Sequence, residues 1–451
     1  MHRTISRLLA VFGTAILLNA AVARSADEWP QFRGPDGQGH AGAVRVPTRF
    51  SDTENVVWKQ KIPGRGWSSP VISDGICWMT TAVIKEATPE RIAEIRKTRL
   101  ASNPLAADME IIDSVSLRAV AVDMSSGKIL QIVELLQVSE PEPIHSLNSY
   151  ASPTPIVHEG RLLCHFGNLG TACLDTKQGK VLWTARIPVE HSVGPGSTPA
   201  RFENLLIIPC DGTDNQSVVA LDIQTGKEVW KAKRPPMAGD TGDFHKAFST
   251  PLVVNDGKRD QVIAPGAQWV VAYDPRTGKT LWQVKHGDGF SNSPRPVYAQ
   301  GMVFICTGYM AHELVAIRVD GTGDVTKTHV VWRVNKQVPP MSSPVVVGDY
   351  LYMVSDQGVV SCVELKSGEA KFRERIAGNH SASPLEVDGK LLFSSRAGEV
   401  TVIAASPEFK PLGTNALEGQ LMASPAVWRE SLIFRTDTYL YRIADQASAR
   451  R

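Results

Sequence analysis

Charge imbalance is nearly absent from this chain of 451 residues, in which 48 Lys and Arg stand against 46 Asp and Glu, a formal +2. It therefore carries no basic footprint for nucleic acid. Cysteine is sparse: Cys77, Cys164, Cys173, Cys210, Cys306 and Cys362 include no adjacent pair and no C-x-x-C spacing. Zinc sites and thioredoxin-like exchange are excluded as readings, and most of these thiols read as small buried core groups. H-E-x-x-H, EF-hand, G-x-S-x-G and phosphate-cradling glycine loops are all missing. No local motif names a reaction.

Long apolar runs are missing too, with one exception at the start. His2, Arg3 and Arg7 precede a run from Leu8 to Ala23 that ends in Ala21-Val22-Ala23, the pattern of a secretory signal peptide cleaved after Ala23. The run falls short of the roughly 20 residues that span a bilayer. The predicted compartment is periplasmic or extracellular, with no transmembrane segment after cleavage.

What the chain does have is a repeat. LDTKQGKVLW (Leu174 to Trp183), LDIQTGKEVW (Leu221 to Trp230) and YDPRTGKTLW (Tyr273 to Trp282) share Asp175, Asp222 or Asp274, then Gly179, Gly226 or Gly278, then Trp183, Trp230 or Trp282 at constant spacing. The Asp can bond its own turn backbone, the Gly supplies the positive φ of a short hairpin, and a second strand leaves through the Trp. Val122 to Gln131 and Val363 to Phe372 are fainter copies. A second marker, Ser/Thr-Pro, opens each unit at Pro70, Pro153, Pro199, Pro251, Pro294, Pro344, Pro384 and Pro425, with a mean period from Pro153 onward of about 45 residues, that of a four-stranded propeller blade. The predicted fold is all-β, an eight-bladed propeller of four-stranded antiparallel blades. Trp58, in Glu54 to Ile62, has the setting of a motif tryptophan without a preceding hairpin. The strand Val56 to Lys61 is thus expected to close the ring by pairing with the strands after Pro425.

The A/L-x-D-x-x-T-G-x-x-x-W phrase resembles the tryptophan-docking repeat of the PQQ-like, quinoprotein-type β-propeller family, and the opening Trp29 to His40 resembles that of exported members. The family includes quinoprotein dehydrogenases and a periplasmic scaffold lipoprotein of outer-membrane protein assembly. The resemblance implies that each motif tryptophan packs between neighbouring blades. It also implies two functions: a binding or scaffold module, which leads, and a PQQ- or metal-dependent periplasmic oxidoreductase, the alternative. For the second, neither calcium ligands nor a base can be assigned, so no cofactor or metal is. No Cys follows the apolar run, so lipid attachment is not indicated.

The expected organisation is a signal peptide (1–23), an arm (24–54), the propeller (55–445) and a polar tail (446–451). An insertion at 85–113 in the first blade carries a short helix that starts at Pro89 and ends before Pro104. In such blades the B–C turns and D–A crossovers emerge on one face, and five of the 11 histidines fall in crossovers. The candidate funnel comprises His145, Asn148, His191, Asp243, His245, His286, Asp288, Asn379 and His380, with Asp211, Asp214, Tyr309 and His312 from B–C turns. Imidazole and carboxylate converging at a channel mouth suit a ligand or metal. The alternative is polar surface whose side chains cap neighbouring turns. A protein or small-molecule partner at this face is expected. Asp211 to Asn215 loosely resembles a calcium loop, with loop hydrogen bonding the other reading. Cys164 and Cys173 flank the turn at Asn168-Leu169 and form a candidate disulfide across a hairpin.

Overall fold

The computed structural model describes residues 27–445 apart from 102 and 104. The signal segment, the polar tail and Pro104 lie outside the described residues. Eight four-stranded antiparallel blades follow one another around a ring, the fourth with Gly323–Asp324 added in parallel at its outer edge. The second blade is typical, with strands A to D at Ile156–His158, Arg161–His165, Thr171–Asp175 and Lys180–Ala185. Val56–Lys61 pairs antiparallel with Tyr439–Ile443 as the outer strand of the last blade. The ring is closed by the two ends of the propeller sequence, which removes the open edge each would otherwise expose.

The repeat motif is the joint between blades. Asp175, Asp222 and Asp274 cap their C–D turns through Oδ1, as in Gln178 N to Asp175 at 2.7 Å and Thr225 N to Asp222 at 2.8 Å. Each turn glycine sits at φ near +70°, and a side chain of the preceding blade lies where a Cβ would be: Gln131 at Gly179, Trp183 at Gly226 and Trp230 at Gly278. Trp183 donates Nε1–H to Ile223 O (2.9 Å), Trp230 to Pro275 O (3.0 Å) and Trp58 to Met124 O (3.0 Å). In the first blade Gln131 takes that place, with Nε2 on Thr176 O at 3.2 Å. Trp332, outside the motif phase, donates to Leu365 O at 2.9 Å. A Cβ added at Gly226 would stand 2.5 Å from the Trp183 ring. Gly226→Ala is therefore expected to cost ~1–2 kcal/mol from the left-handed backbone alone. Urea unfolding checks it, and an unchanged midpoint would contradict the joint.

A second joint encircles the channel. The residue preceding the proline of each strand A is Ser69, Thr154, Thr198, Thr250, Arg295, Ser343, Ser383 or Ser424. Seven of the eight possible links between them are made, each a backbone N–H donated to the hydroxyl of the corresponding residue in the next blade. Ser69 N reaches Thr154 Oγ1 and Thr154 N reaches Thr198 Oγ1 (both 2.9 Å), and Ser424 N returns to Ser69 Oγ at 3.1 Å. Thr198, Ser343 and Ser383 donate in the same way to Thr250, Ser383 and Ser424, and Arg295 N donates to Ser343 Oγ. The link from Thr250 is missing because Arg295 has no hydroxyl. This register corrects two markers: strand A begins after Pro155 and Pro296, not after Pro153 and Pro294.

The insertion lies between strands B (Ile76–Glu86) and C (Ile112–Asp123) of the first blade. Its helix, Pro89–Thr98, is capped by Thr88 and packs Ile95 on Leu100, Met109 and Ile111. Cys164 and Cys173 are separate free thiols, not a disulfide. Cys164 stands opposite Ala172, and Cys173 opposite Leu163. That offset of one residue turns the two side chains to opposite faces of the blade, into different core clusters.

Candidate functional site

Nine of the predicted funnel residues, His145 to His380, belong to D–A crossovers, and most are bonded locally. His145, in Ile144–His145, pairs with Met109 of the insertion, and its Nδ1 accepts Leu147 N at 3.2 Å. Asn148 donates Nδ2–H to Val193 O (3.0 Å) and Pro195 O (3.1 Å), tying one crossover to the next. His245 Nε2 faces Ala238 O at 3.2 Å, and Asp243 pairs with Lys246 Nζ at 2.6 Å. His286 Nε2 lies 3.1 Å from Gly266 O, which also accepts Asn292 Nδ2 at 2.8 Å. His380 places Nδ1 2.9 Å from Ser394 O and Nε2 3.0 Å from Ala377 O. Asp288 and Asn379 are exposed. His191 is buried against Phe248, with neither ring nitrogen partnered among the described residues.

Burial sets the protonation of these rings, because a buried imidazolium loses its hydration. It pushes His191 and His286 down to about 4, and with help from His191 it pushes His165 to about 3. All three are neutral at pH 7. Among the described residues no three His, Cys, Asp or Glu gather into a metal cage. The Asp211–Asn215 loop is likewise spent, since Asp214 Oδ1 accepts Glu190 N at 2.7 Å and Asp211 pairs with Arg234. Asp211 is fully buried, which corrects its expected place on the face.

Apolar side chains stand out on the same face. Phe244 (39% exposed), Tyr309 (47%) and Met310 (82%) come from neighbouring crossovers and turns. Phe244 packs edge-on against Phe290 at 5.2 Å, and Phe290 bridges to Tyr309 through the backbone. Beyond them Asp356, pushed up to about 6 by burial against the pull of Arg396, lies 3.5 Å from that guanidinium. A groove of about 460 Å³ opens elsewhere on this face, between the insertion and the third blade. Glu140, Glu142, Glu190 and Asp214 line it with Arg99 and Arg186. The sequence reading named Tyr309 and missed Phe244, Phe290, Met310 and Asp356. Apolar residues standing in otherwise polar turns were the available signal.

The N-terminal arm lies against the inner strands around the channel, pairing Trp29 with Ile72 and His40 with Glu386. Val157 N donates to Pro30 O at 2.9 Å, Tyr298 N to Gln38 Oε1 at 2.6 Å, and Arg33 Nη2 to Pro344 O at 2.6 Å. These contacts reach strand A of the first, second, fifth, sixth and seventh blades.

A family profile described as outer membrane protein assembly factor BamB matches residues 49–268, 118–374 and 324–409. The assembly factor BamB of Moranella endobia is 23% identical over 259 residues, 55% of this chain and 61% of that relative. The match thus spans about three fifths of that relative's length. Among solved structures, quinohemoprotein alcohol dehydrogenase from Comamonas testosteroni superposes with a TM-score of 0.62 at 10% identity, covering 94% of this chain and 81% of that one. BamB from Moraxella catarrhalis gives 0.51 at 15% identity, over 75% and 94%. At such identities the structural likeness concerns the fold.

Proposed function

Because the chain belongs to the PQQ-like repeat family described as outer membrane protein assembly factor BamB, we propose that it is an exported binding module that docks a partner protein on its crossover face. The observation that carries this reading is the cluster drawn from adjacent blades in which Phe244, Tyr309 and Met310 are exposed and the half-buried Phe290 packs edge-on against Phe244. Aromatic and Met side chains are enriched in the cores of protein interfaces. His245 and His286 supply part of the frame, because their contacts with Ala238 O and Gly266 O hold the crossovers that present Phe244 and Phe290. Export rests on the basic start and apolar run of residues 1–23. Among the described residues no helix is long and apolar enough to cross a membrane.

A photo-crosslinking residue placed at Phe244 or Met310 is expected to trap one discrete protein in the cell envelope. The same probe at Gln300, in the A–B turn of the opposite face, is expected to trap none. Equal adducts from both faces, or none from the crossover face, would overturn the docking reading. Phe244→Ser with Met310→Ser is expected to reduce the adduct formed by a probe at Tyr309 at least about tenfold, since hot-spot side chains carry ~2 kcal/mol or more. Thermal unfolding should hardly change, as surface substitutions usually cost within about 0.5 kcal/mol. Export is checked by mass: a mature protein that still contains Leu8 to Ala20 contradicts it.

A further inference from the structure

The arm carries a cation into the channel and sets it beside a second one. Arg33 and Arg295 are 2% and 3% exposed, and Arg295 Nη1 donates to Phe32 O, next to Arg33, at 2.8 Å. Arg33 Nη2 is satisfied by Gln38 O (2.8 Å) and Pro344 O (2.6 Å). Among the described residues Arg33 Nε and Nη1 and Arg295 Nε reach no acceptor. Burial, and for Arg33 also the neighbouring Arg295, pushes the two groups down to about 9 and 10. Both remain charged at neutral pH.

One carboxylate, Asp36, acts on both guanidiniums. It also holds His40 Nδ1 at 3.0 Å and Gln38 N at 2.8 Å. Glu386, the other acid near the arm, acts on His40 and Asp36 and spends Oε1 on Gly389 N at 3.0 Å. Two guanidiniums against one shared carboxylate leave an excess of a single positive charge. The arm lies directly on them: a Cβ at Gly37 would stand 2.3 Å from Arg295 Nη1, and one at Gly39 would stand 2.6 Å from Arg33 Nη2. Bulk solvent is excluded, so the excess charge and the three unspent donor atoms are not relieved by ordinary hydration.

We propose that a small monovalent anion of the chloride type binds between Arg33 and Arg295, taking their unspent N–H groups and fastening the arm in the channel. The unmet groups at this place are all donors. A water molecule would bring two hydrogens that themselves need acceptors, and would leave the like charges unscreened. An anion offers acceptor capacity alone, removes the excess charge, and must be small to be enclosed so completely. Arg295 is also the one member of the inner ring that is neither Ser nor Thr, so the ring gives up a link where this cation stands.

The test follows thermal unfolding of the full chain in sodium gluconate as chloride or bromide replaces it at constant ionic strength. The expected result is a saturable rise in Tm of ~2 °C or more, by the linkage of binding to folding. Arg295→Thr, which gives the ring the hydroxyl its other positions have, should abolish that rise. Crystals grown with bromide should show an anomalous peak between the two guanidiniums. A chloride response identical in Arg295→Thr and the unaltered chain would overturn the proposal. So would a bromide map without that peak, and this map decides the matter if the variant does not fold.

Discussion

Lowering the pH from 6.5 to 4.5 is expected to remove ~4 kcal/mol of folding stability, about half of it above pH 5.5. The cause lies in His165, His191 and His286, held at about 3, 4 and 4 in the fold by burial, against about 6.5 in an unfolded chain. Between those values the unfolded state binds protons that the native state does not. Stability is therefore fully present above pH 6.5 and is lost as pH falls toward the native values. Asp214 pulls weakly upward on His191, and Arg333 and Arg234 push His286 further down. Asp356, raised by burial to about 6, opposes the trend, as do the raised Glu142 and Glu386 and the raised His40. Three histidines outweigh them because their displacements are larger. Urea unfolding at a series of pH values reads the slope directly. His191→Leu should remove roughly a third of the histidine contribution while changing stability at pH 8 by less than about 1.5 kcal/mol, since no hydrogen bond is lost. A slope the same in that variant would assign the acid sensitivity elsewhere.

The blades were legible because their information is local. Asp, Gly and Trp act within one turn and the strand that follows, so Asp222, Gly226 and Trp230 announce a hairpin without knowledge of any neighbour. Trp332 escaped the pattern because the C–D turn before it is expanded, with Gly323–Asp324 pairing back onto the fourth blade, which breaks the spacing. The Ser/Thr-Pro marker identified eight units but chose the wrong proline in two of them. Pro153 and Pro155, and Pro294 and Pro296, stand two residues apart. Only the apolar run after the second proline distinguishes them. The A–B turns carried an unused signal in Asp74-Gly75, Glu159-Gly160, Gln300-Gly301 and Asp388-Gly389, where both residues take positive φ, as two-residue hairpins require.

The face was legible and its internal partners were not. Topology alone puts His145, His191, His245, His286 and His380 in crossovers. Whether a ring meets a carbonyl, a metal or another ring depends on residues from other blades. His165 shows the difference: it ends a B strand, lies outside every crossover, and yet is the ring on which His191 acts. Arg33 and Arg295 are separated by more than half the chain, and no spacing rule connects an arm residue to the ring around the channel.

The same long-range logic gives the largest expected effect of a single substitution. Arg234 and Asp211 form a bidentate pair, Nε to Oδ1 at 3.0 Å and Nη2 to Oδ2 at 2.6 Å, with both side chains 0% exposed. Arg234 Nη1 also donates to Ala264 O at 2.6 Å, so the pair joins the third blade to the fourth. Burial disfavours the charge on Arg234, but Asp211 and Tyr273 outweigh it and hold its titration above the ordinary value, while burial raises the Asp211 carboxyl against the pull of Arg234. Asp211→Ala leaves a guanidinium buried without its counter-charge and is expected to cost ~3–5 kcal/mol. Replacing both members, Asp211→Leu with Arg234→Met, removes both desolvation costs together and should recover most of that loss. Urea unfolding of the two singles and the double gives the coupling between them, which should be ~2 kcal/mol or more. A double variant no more stable than Asp211→Ala would show that the carbonyl contacts of Arg234, and not the charge pair, hold these two blades together.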